Sequence, residues 1–255
     1  MTIVTSYHTD VGIKKKANQD ALLLKTAKTP KGDVGLFAIC DGMGGLAQGE
    51  LASATVIRGL SEWFDTQMPR LVDSDRLGEE ICAELESCIQ QLNEKIFQYG
   101  DASSVKLGTT LTALVMVHGQ YFIAHVGDSR AYRLWPTFAQ LTEDQTLVAR
   151  EVARGNITAE QAKIDPRRNV LLQCVGATPV IDIKFLTGNV DENSVFLLCS
   201  DGFYHEITAN ELTKQFHVDK LTKASQIKNN IVESIETVKA RNEIDNISVI
   251  VIKVS

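Results

Sequence analysis

Four aspartates in this sequence share one setting: each borders an apolar, strand-like run. Asp41 follows Leu36-Phe37-Ala38-Ile39-Cys40, and Asp128 follows Tyr121-Phe122-Ile123-Ala124-His125-Val126-Gly127. Asp201 follows Val195-Phe196-Leu197-Leu198-Cys199-Ser200, and Asp245 precedes Asn246-Ile247-Ser248-Val249-Ile250-Val251. Buried strands deliver their end residues to a common rim, so such carboxylates can converge in space. Converging carboxylates repel, and burial adds to their cost. A hard cation relieves both problems. Oxygen-only ligation of this kind suits Mg²⁺, Mn²⁺ or Ca²⁺ rather than zinc or copper. Asp-Gly after a strand is also an ordinary hairpin signal, so it is the recurrence of the setting that carries the argument.

Other reactive groups are less organised. Asp41-Gly42-Met43-Gly44-Gly45 runs into a helical pattern and offers glycines for close backbone approach, but it matches neither G-x-x-x-x-G-K-[ST] nor G-x-G-x-x-G. Lys14-Lys15-Lys16 reads either as a solvated face or as a lure for phosphate. The five histidines show no ligand spacing, and His125, inside an apolar run, reads as a core residue. There is no G-x-S-x-G elbow of a serine hydrolase.

The bulk sequence narrows the class further. A net charge of -6, from 26 basic and 32 acidic residues, argues against a nucleic-acid-binding domain. Five cysteines without a C-x-x-C disfavour disulfide scaffolds and zinc ribbons and fit a reducing cytosol. No secretory signal or membrane-spanning run is read. With 255 residues, no repeat and no linker-like tract, one domain is the simplest reading.

The elements that must position the aspartates follow from periodicity. Strands are expected over 34–40, stopped by Asp41-Gly42, and over 109–117, 121–126, 195–199 and 247–254. Apolar faces at helical spacing run through Ala52, Val56, Leu60 and Trp63, and through Leu77, Ile81, Leu85, Ile89, Leu92 and Ile96. A third runs through Ala224, Ile227, Ile231, Ile235 and Val238. Capping boxes are expected at Thr142 with Gln145, Thr158 with Gln161 and Thr208 with Glu211, and Gly155 is expected to end the helix opened at Thr142. Helices and strands come in groups rather than alternating, so the sheets are expected to be mainly antiparallel with helices packed outside, an α+β class.

Read together, six ordered blocks resemble the metal-dependent (type-2C) serine/threonine protein phosphatases in their compact bacterial form. They are Asp10-Val11-Gly12 with Asn18-Gln19-Asp20, Asp41-Gly42-Met43-Gly44-Gly45, Gly108-Thr109-Thr110-Leu111, His125-Val126-Gly127-Asp128-Ser129-Arg130, Leu198-Cys199-Ser200-Asp201-Gly202 and Asp245-Asn246-Ile247-Ser248-Val249. The resemblance spans nearly the whole chain. It implies an α–β–β–α sandwich of two antiparallel sheets, and a single catalytic domain over 1–255 with a flap subdomain at about 143–180. It implies two Mn²⁺ or Mg²⁺ ions: Asp41 bridges them, Asp201 and Asp245 complete one, and Asp20 with the Gly42 carbonyl serves the other. A third metal would use Asp128 with Asp201.

The implied catalytic residues are Asp41, Asp201 and Asp245. Water held between cations loses its proton near neutral pH and attacks phosphorus in line, with no phosphoenzyme. Implied partners are Ser/Thr-phosphorylated proteins, including a cognate bacterial kinase, with no nucleic acid and no membrane; the implied location is cytoplasmic.

Three positions depart from the resemblance. Lys15 stands where relatives place the Arg that holds the substrate phosphate, so weaker phosphate binding is expected. Met43 stands where eukaryotic relatives have a His proposed as general acid, and Asp165-Pro166 replaces a His-Pro pair in the flap, within 157–170. The competing readings are a catalytically weak relative serving as a regulatory module, and a nucleotide-binding protein using the glycine-rich loop.

Overall fold

The computed structural model describes residues 1–44 and 48–255, so Gly45 of the Asp41 block lies outside the described residues. In chain order the strands are β1 (Ile3–Asp10), β2 (Asp20–Thr29), β3 (Gly32–Gly44), β4 (Leu107–Thr109), β5 (Leu111–Val117), β6 (Gln120–Val126), β7 (Arg130–Trp135), β8 (Ala139–Gln140), β9 (Lys184–Asn189), β10 (Val195–Cys199) and β11 (Ile247–Val254). The helices are α1 (Gln48–Leu71), α2 (Leu77–Ser103), α3 (Leu147–Ala153), α4 (Ala159–Ile164), α5 (Asp201–Tyr204), α6 (Ala209–Gln215) and α7 (Ala224–Ala240).

Two sheets form, with strand orders β2-β3-β5-β6-β9 and β1-β11-β10-β7-β8. Every pairing in them is antiparallel, as the grouping of the elements implies. Strands β5, β10 and β11 are covered on both faces, which is why they read as unbroken apolar runs rather than alternating ones. The two-residue period still sorts their side chains. Phe37 and Ile39 of β3 face the second sheet, meeting Phe196, Leu198, Ile250 and Ile252. Leu36 and Ala38 face the other way, under Val56, Leu60, Ile81, Leu85 and Ile89 of α1 and α2. On the far side, Leu197, Val249 and Val251 pack under Ile227, Ile231, Ile235 and Val238 of α7. Three apolar layers thus separate four structural layers, giving the expected α–β–β–α sandwich.

The local expectations fare unevenly. Thr158 and Thr208 form full capping boxes with Gln161 and Glu211. The box expected at Thr142 is not there: α3 starts later, capped by Thr146 through the Ala149 amide. The Thr142 hydroxyl is buried and already accepts from the Ala131 amide of β7, so it has no helix end to serve. Gly155, with φ of 73°, does follow the end of α3.

Strand β3 also does not stop at Asp41-Gly42. It runs on to Gly44 because the short strand β4 offers a ladder there, pairing Gly42 with Thr109 and Gly44 with Leu107. Strands β1, β2, β7, β8 and β9 were not expected.

Candidate active site

The predicted aspartates arrive from both sheets at one end of the sandwich. Asp20 opens β2 and stands opposite Asp41 in the ladder of β2 and β3. Asp128 follows β6. From the second sheet, Asp201 follows β10 at the start of α5, and Asp245 precedes β11. Their mutual influence shows in their ionisation. Burial pushes Asp41 well above the ordinary carboxylate range, and the charges of Asp20, Asp201, Asp128 and Asp245 push the same way. Burial raises Asp20 to about 7; hydrogen bonds from Ser248 and Ser200 oppose the rise, and Asp201 and Asp245 add to it. Burial raises Asp128 to about 8, helped by Asp201 and Asp144 and opposed by His205 and Arg130. Asp201 is raised by burial too, against the charge of His205. All five predicted carboxylates therefore share one field.

The scaffold around them is specific. The Asp41 amide donates to Thr110 Oγ1 at 2.9 Å, and its carbonyl accepts from Thr109 Oγ1 at 2.9 Å and the Thr110 amide at 2.9 Å. Ser200 Oγ donates to Asp20 Oδ2 at 2.9 Å, joining the two sheets across the site. Gly42 has no room for a side chain: an added Cβ would run into the Gly49 carbonyl and come within 2.6 Å of the Gln19 carbonyl. Its backbone is thereby held against the start of α1 and the residue before β2.

Several residues that structure the site carried no role in the sequence reading. Asn246 is buried, and its side-chain amide donates to the carbonyls of Val11 at 2.9 Å and Ala17 at 3.1 Å, while its oxygen accepts from the Gln19 amide at 2.9 Å. It pins the loop 11–19 to the start of β11. Glu243 accepts from the amides of Ile244 at 2.7 Å and Asp245 at 2.9 Å, setting the turn before Asp245, and faces His205 at 3.6 Å. Arg130 grips Asp144 with two parallel bonds, of 2.9 and 2.7 Å, and stacks 3.5 Å above the Tyr204 ring. This ties β7 to the segment leading into α3. The only sequence-level hint of these roles was membership of Asn246 and Arg130 in the ordered blocks.

Lys15 lies at the mouth of the cleft, its Nζ 2.8 Å from Asp245 Oδ1. Burial lowers the pKa of its ammonium, but the hydrogen bond to Asp245 and the charges of Asp245, Asp41 and Asp201 outweigh it and hold the group above its ordinary value. Lys14 and Lys16 are exposed, as a solvated face would be. His125 is the satisfied core residue that its apolar run suggested, fully buried between Thr112 and the Glu143 carbonyl.

Among the described residues, no group of three or more acidic, histidine or cysteine side chains is placed to hold a metal ion. What the cleft does hold is buried carboxylate oxygen without a partner: Asp20 Oδ1 and Asp201 Oδ1 accept no hydrogen bond. Unpaired buried oxygens in a field of like charge are costly. An oxygen-seeking divalent cation would meet both needs, so the donor set fits one.

Comparison with known proteins places the chain in a family. The protein phosphatase 2C family model matches residues 12–238. The serine/threonine phosphatase stp of Listeria monocytogenes is 34% identical over 180 residues, which is 69% of this chain and 69% of that protein. Protein phosphatase PhpP of Streptococcus pneumoniae is 30% identical over 210 residues, 80% of each. Among solved structures, the S. agalactiae serine/threonine phosphatase has a TM-score of 0.84 at 28% identity, covering 99% of this chain and 100% of that one. The catalytic domain of the phosphatase PstP, in complex with 2 manganese ions, has a TM-score of 0.79 at 26% identity, covering 99% of this chain and 100% of that one.

Proposed function

Because this chain belongs to the protein phosphatase 2C family, and so is a divalent-metal-dependent serine/threonine protein phosphatase acting on phosphoproteins, we propose that the aspartate cleft at the end of its two sheets is the catalytic centre. Asp20, Asp41, Asp201 and Asp245, with the Gly42 carbonyl, would hold two Mn²⁺ or Mg²⁺ ions, and Asp128 with Asp201 would serve a third. The observation that carries this reading is the pair of partnerless buried oxygens, on Asp20 and Asp201, amid carboxylates that raise one another's pKa.

Bound cations would supply Lewis-acid activation of water and offset charge on the phosphoryl oxygens. The chain's own residues do the positioning. Thr109 and Thr110 fix the Asp41 backbone from both sides, and Ser200 orients the Asp20 carboxylate. Lys15, at the mouth, supplies one compact positive charge for the substrate phosphate.

Water rather than a side chain is the proposed nucleophile, attacking in line and leaving no phosphoenzyme. The thiols nearest the metal aspartates in sequence, Cys40 and Cys199, are buried, and burial holds them protonated, far above the ordinary thiol value. A protonated buried thiol is a poor nucleophile.

The segment 143–180, carrying α3 and α4, is proposed as a flap of the single catalytic domain. A groove of about 1020 Å³ runs between it and the core, bordered by Arg130, Asp144, Lys163, Arg168, Tyr204 and His205. A substrate chain would lie there. We further propose that the enzyme reverses a bacterial serine/threonine kinase in the cytoplasm. Among the described residues, no helix is long and apolar enough to cross a membrane.

The deciding assay is p-nitrophenyl phosphate hydrolysis with Mn²⁺, Mg²⁺ or EDTA, on wild type and Asp201→Asn. Turnover that needs a divalent cation and collapses in the variant is expected. Turnover that survives EDTA, or is untouched in the folded variant, would sink the assignment of this cleft.

A further inference from the structure

The contact between Lys15 and Asp245 joins a group assigned to substrate to a group assigned to metal. Both side chains are partly exposed, at 43% and 31%, and their charges meet at 2.8 Å. The backbone beneath them is fixed. Asn246 pins the loop at Val11, Ala17 and Gln19. Gly12, at φ of 76°, lies so close to the Asp245 carbonyl that no side chain fits between them. The base of the loop therefore cannot drift away from Asp245, while the four-carbon stem of Lys15 can swing. Its ammonium also senses Asp41 and Asp201, so it sits on the rim of the whole acidic cluster.

We propose that Lys15 is a removable counter-ion: its ammonium holds Asp245 while no cation is bound and is displaced when a divalent cation takes that carboxylate. The inference rests on the reading of the cleft as the metal centre. It makes the phosphate-binding charge free only on the metal-loaded protein, so cation and phosphoester are taken up in that order. It also gives a physical reason for lysine at this position. A guanidinium would grip Asp245 with a rigid two-pronged fork, whereas an ammonium makes a single point contact that releases easily. An ion pair this exposed is weak, so the competition should be modest and screened by salt.

The test is calorimetric titration of Mn²⁺ into EDTA-stripped, desalted wild type, Lys15→Met, Lys15→Arg and Lys31→Met, at low and high ionic strength. Melting temperatures are recorded with and without Mn²⁺. Lys31 lies in the turn joining β2 to β3, at the end of that hairpin remote from Asp20 and Asp41, so its variant controls for the loss of one positive charge. Lys15→Met is expected to bind Mn²⁺ roughly 2- to 5-fold more tightly than wild type at low salt, with the gap narrowing at high salt. It should melt lower than wild type in EDTA but not with Mn²⁺. Lys15→Arg should bind more weakly than Lys15→Met, and Lys31→Met should match wild type.

Unchanged or weaker Mn²⁺ binding by Lys15→Met would overturn the proposal. So would an equal fall in melting temperature with and without the metal, which would mark a purely structural ion pair. If wild type itself takes up no Mn²⁺, the reading of the cleft falls and this inference with it; if wild type binds and Lys15→Met is indifferent, only this inference falls.

Discussion

Asp20 and Asp41 stand directly opposite each other across the β2–β3 ladder, two carboxylates in register at the cleft end of one hairpin. Like charges so placed destabilise a sheet, and here burial raises both pKa values further. Asp41→Asn should therefore stabilise the metal-free protein while disabling it. We expect the melting temperature in EDTA to rise by ~2–4 °C and kcat to fall by at least ~100-fold. Thermal melts and metal-dependent phosphoester turnover on the same samples check both halves. A variant that melts lower in EDTA would contradict the repulsion argument.

Asn246 ties the loop carrying Lys15 to β11 through three hydrogen bonds. Replacing it with Ala leaves the Gln19 amide and two carbonyls to find other partners. The expected loss is ~2–4 kcal/mol, which for a chain of this size lowers the melting temperature by roughly 4–16 °C. KM for a phosphoester should rise more than kcat falls, because the released loop no longer presents Lys15. Hydrogen exchange should speed up at residues 11–19 and stay unchanged in the inter-sheet core; uniform acceleration would instead indicate general loosening.

His125 gives stability a pH dependence of known sign. Burial lowers its pKa from 6.5 to about 4, so the fold favours the neutral ring. The neutral ring lies with Nε2 3.1 Å from the Glu143 carbonyl and Nδ1 2.9 Å from the Thr112 hydroxyl. A depressed histidine contributes fully above its unfolded value and loses that contribution as pH falls toward the folded one. Wild type should thus lose up to ~3 kcal/mol through this group between pH 6.5 and 4. Urea unfolding of wild type and His125→Gln across that window isolates the effect as the difference between the two slopes. Gln should be less stable at pH 7 but lose less on acidification, and parallel slopes would refute the assignment.

Much of the architecture was legible because the strongest signals are local. The faces of α1, α2 and α7 and the runs of β5, β10 and β11 declare themselves by spacing, since those elements are buried where they are periodic. Edge strands β1 and β2 are half-buried and carry Lys, His and Thr among their apolar residues, so they give neither a run nor a clean alternation. Thr142 misleads because its hydroxyl answers to a β-strand amide rather than to a helix end. The aspartates were visible as strand-end residues. The ion pair of Lys15 with Asp245 and the staple at Asn246 were not, because each joins residues from opposite ends of the chain whose meeting only the sheet order decides.

The layer of Phe37, Ile39, Phe196, Leu198, Ile250 and Ile252 has a consequence beyond cohesion. Asp20, Asp41 and Asp128 ride on one sheet, while Asp201 and Asp245 ride on the other. That greasy filling is consequently a shim: its thickness fixes the gap across which the two halves of the proposed centre face each other. Thinning it in the middle of the sandwich would detune the chemistry at the rim without altering a single group that does the work.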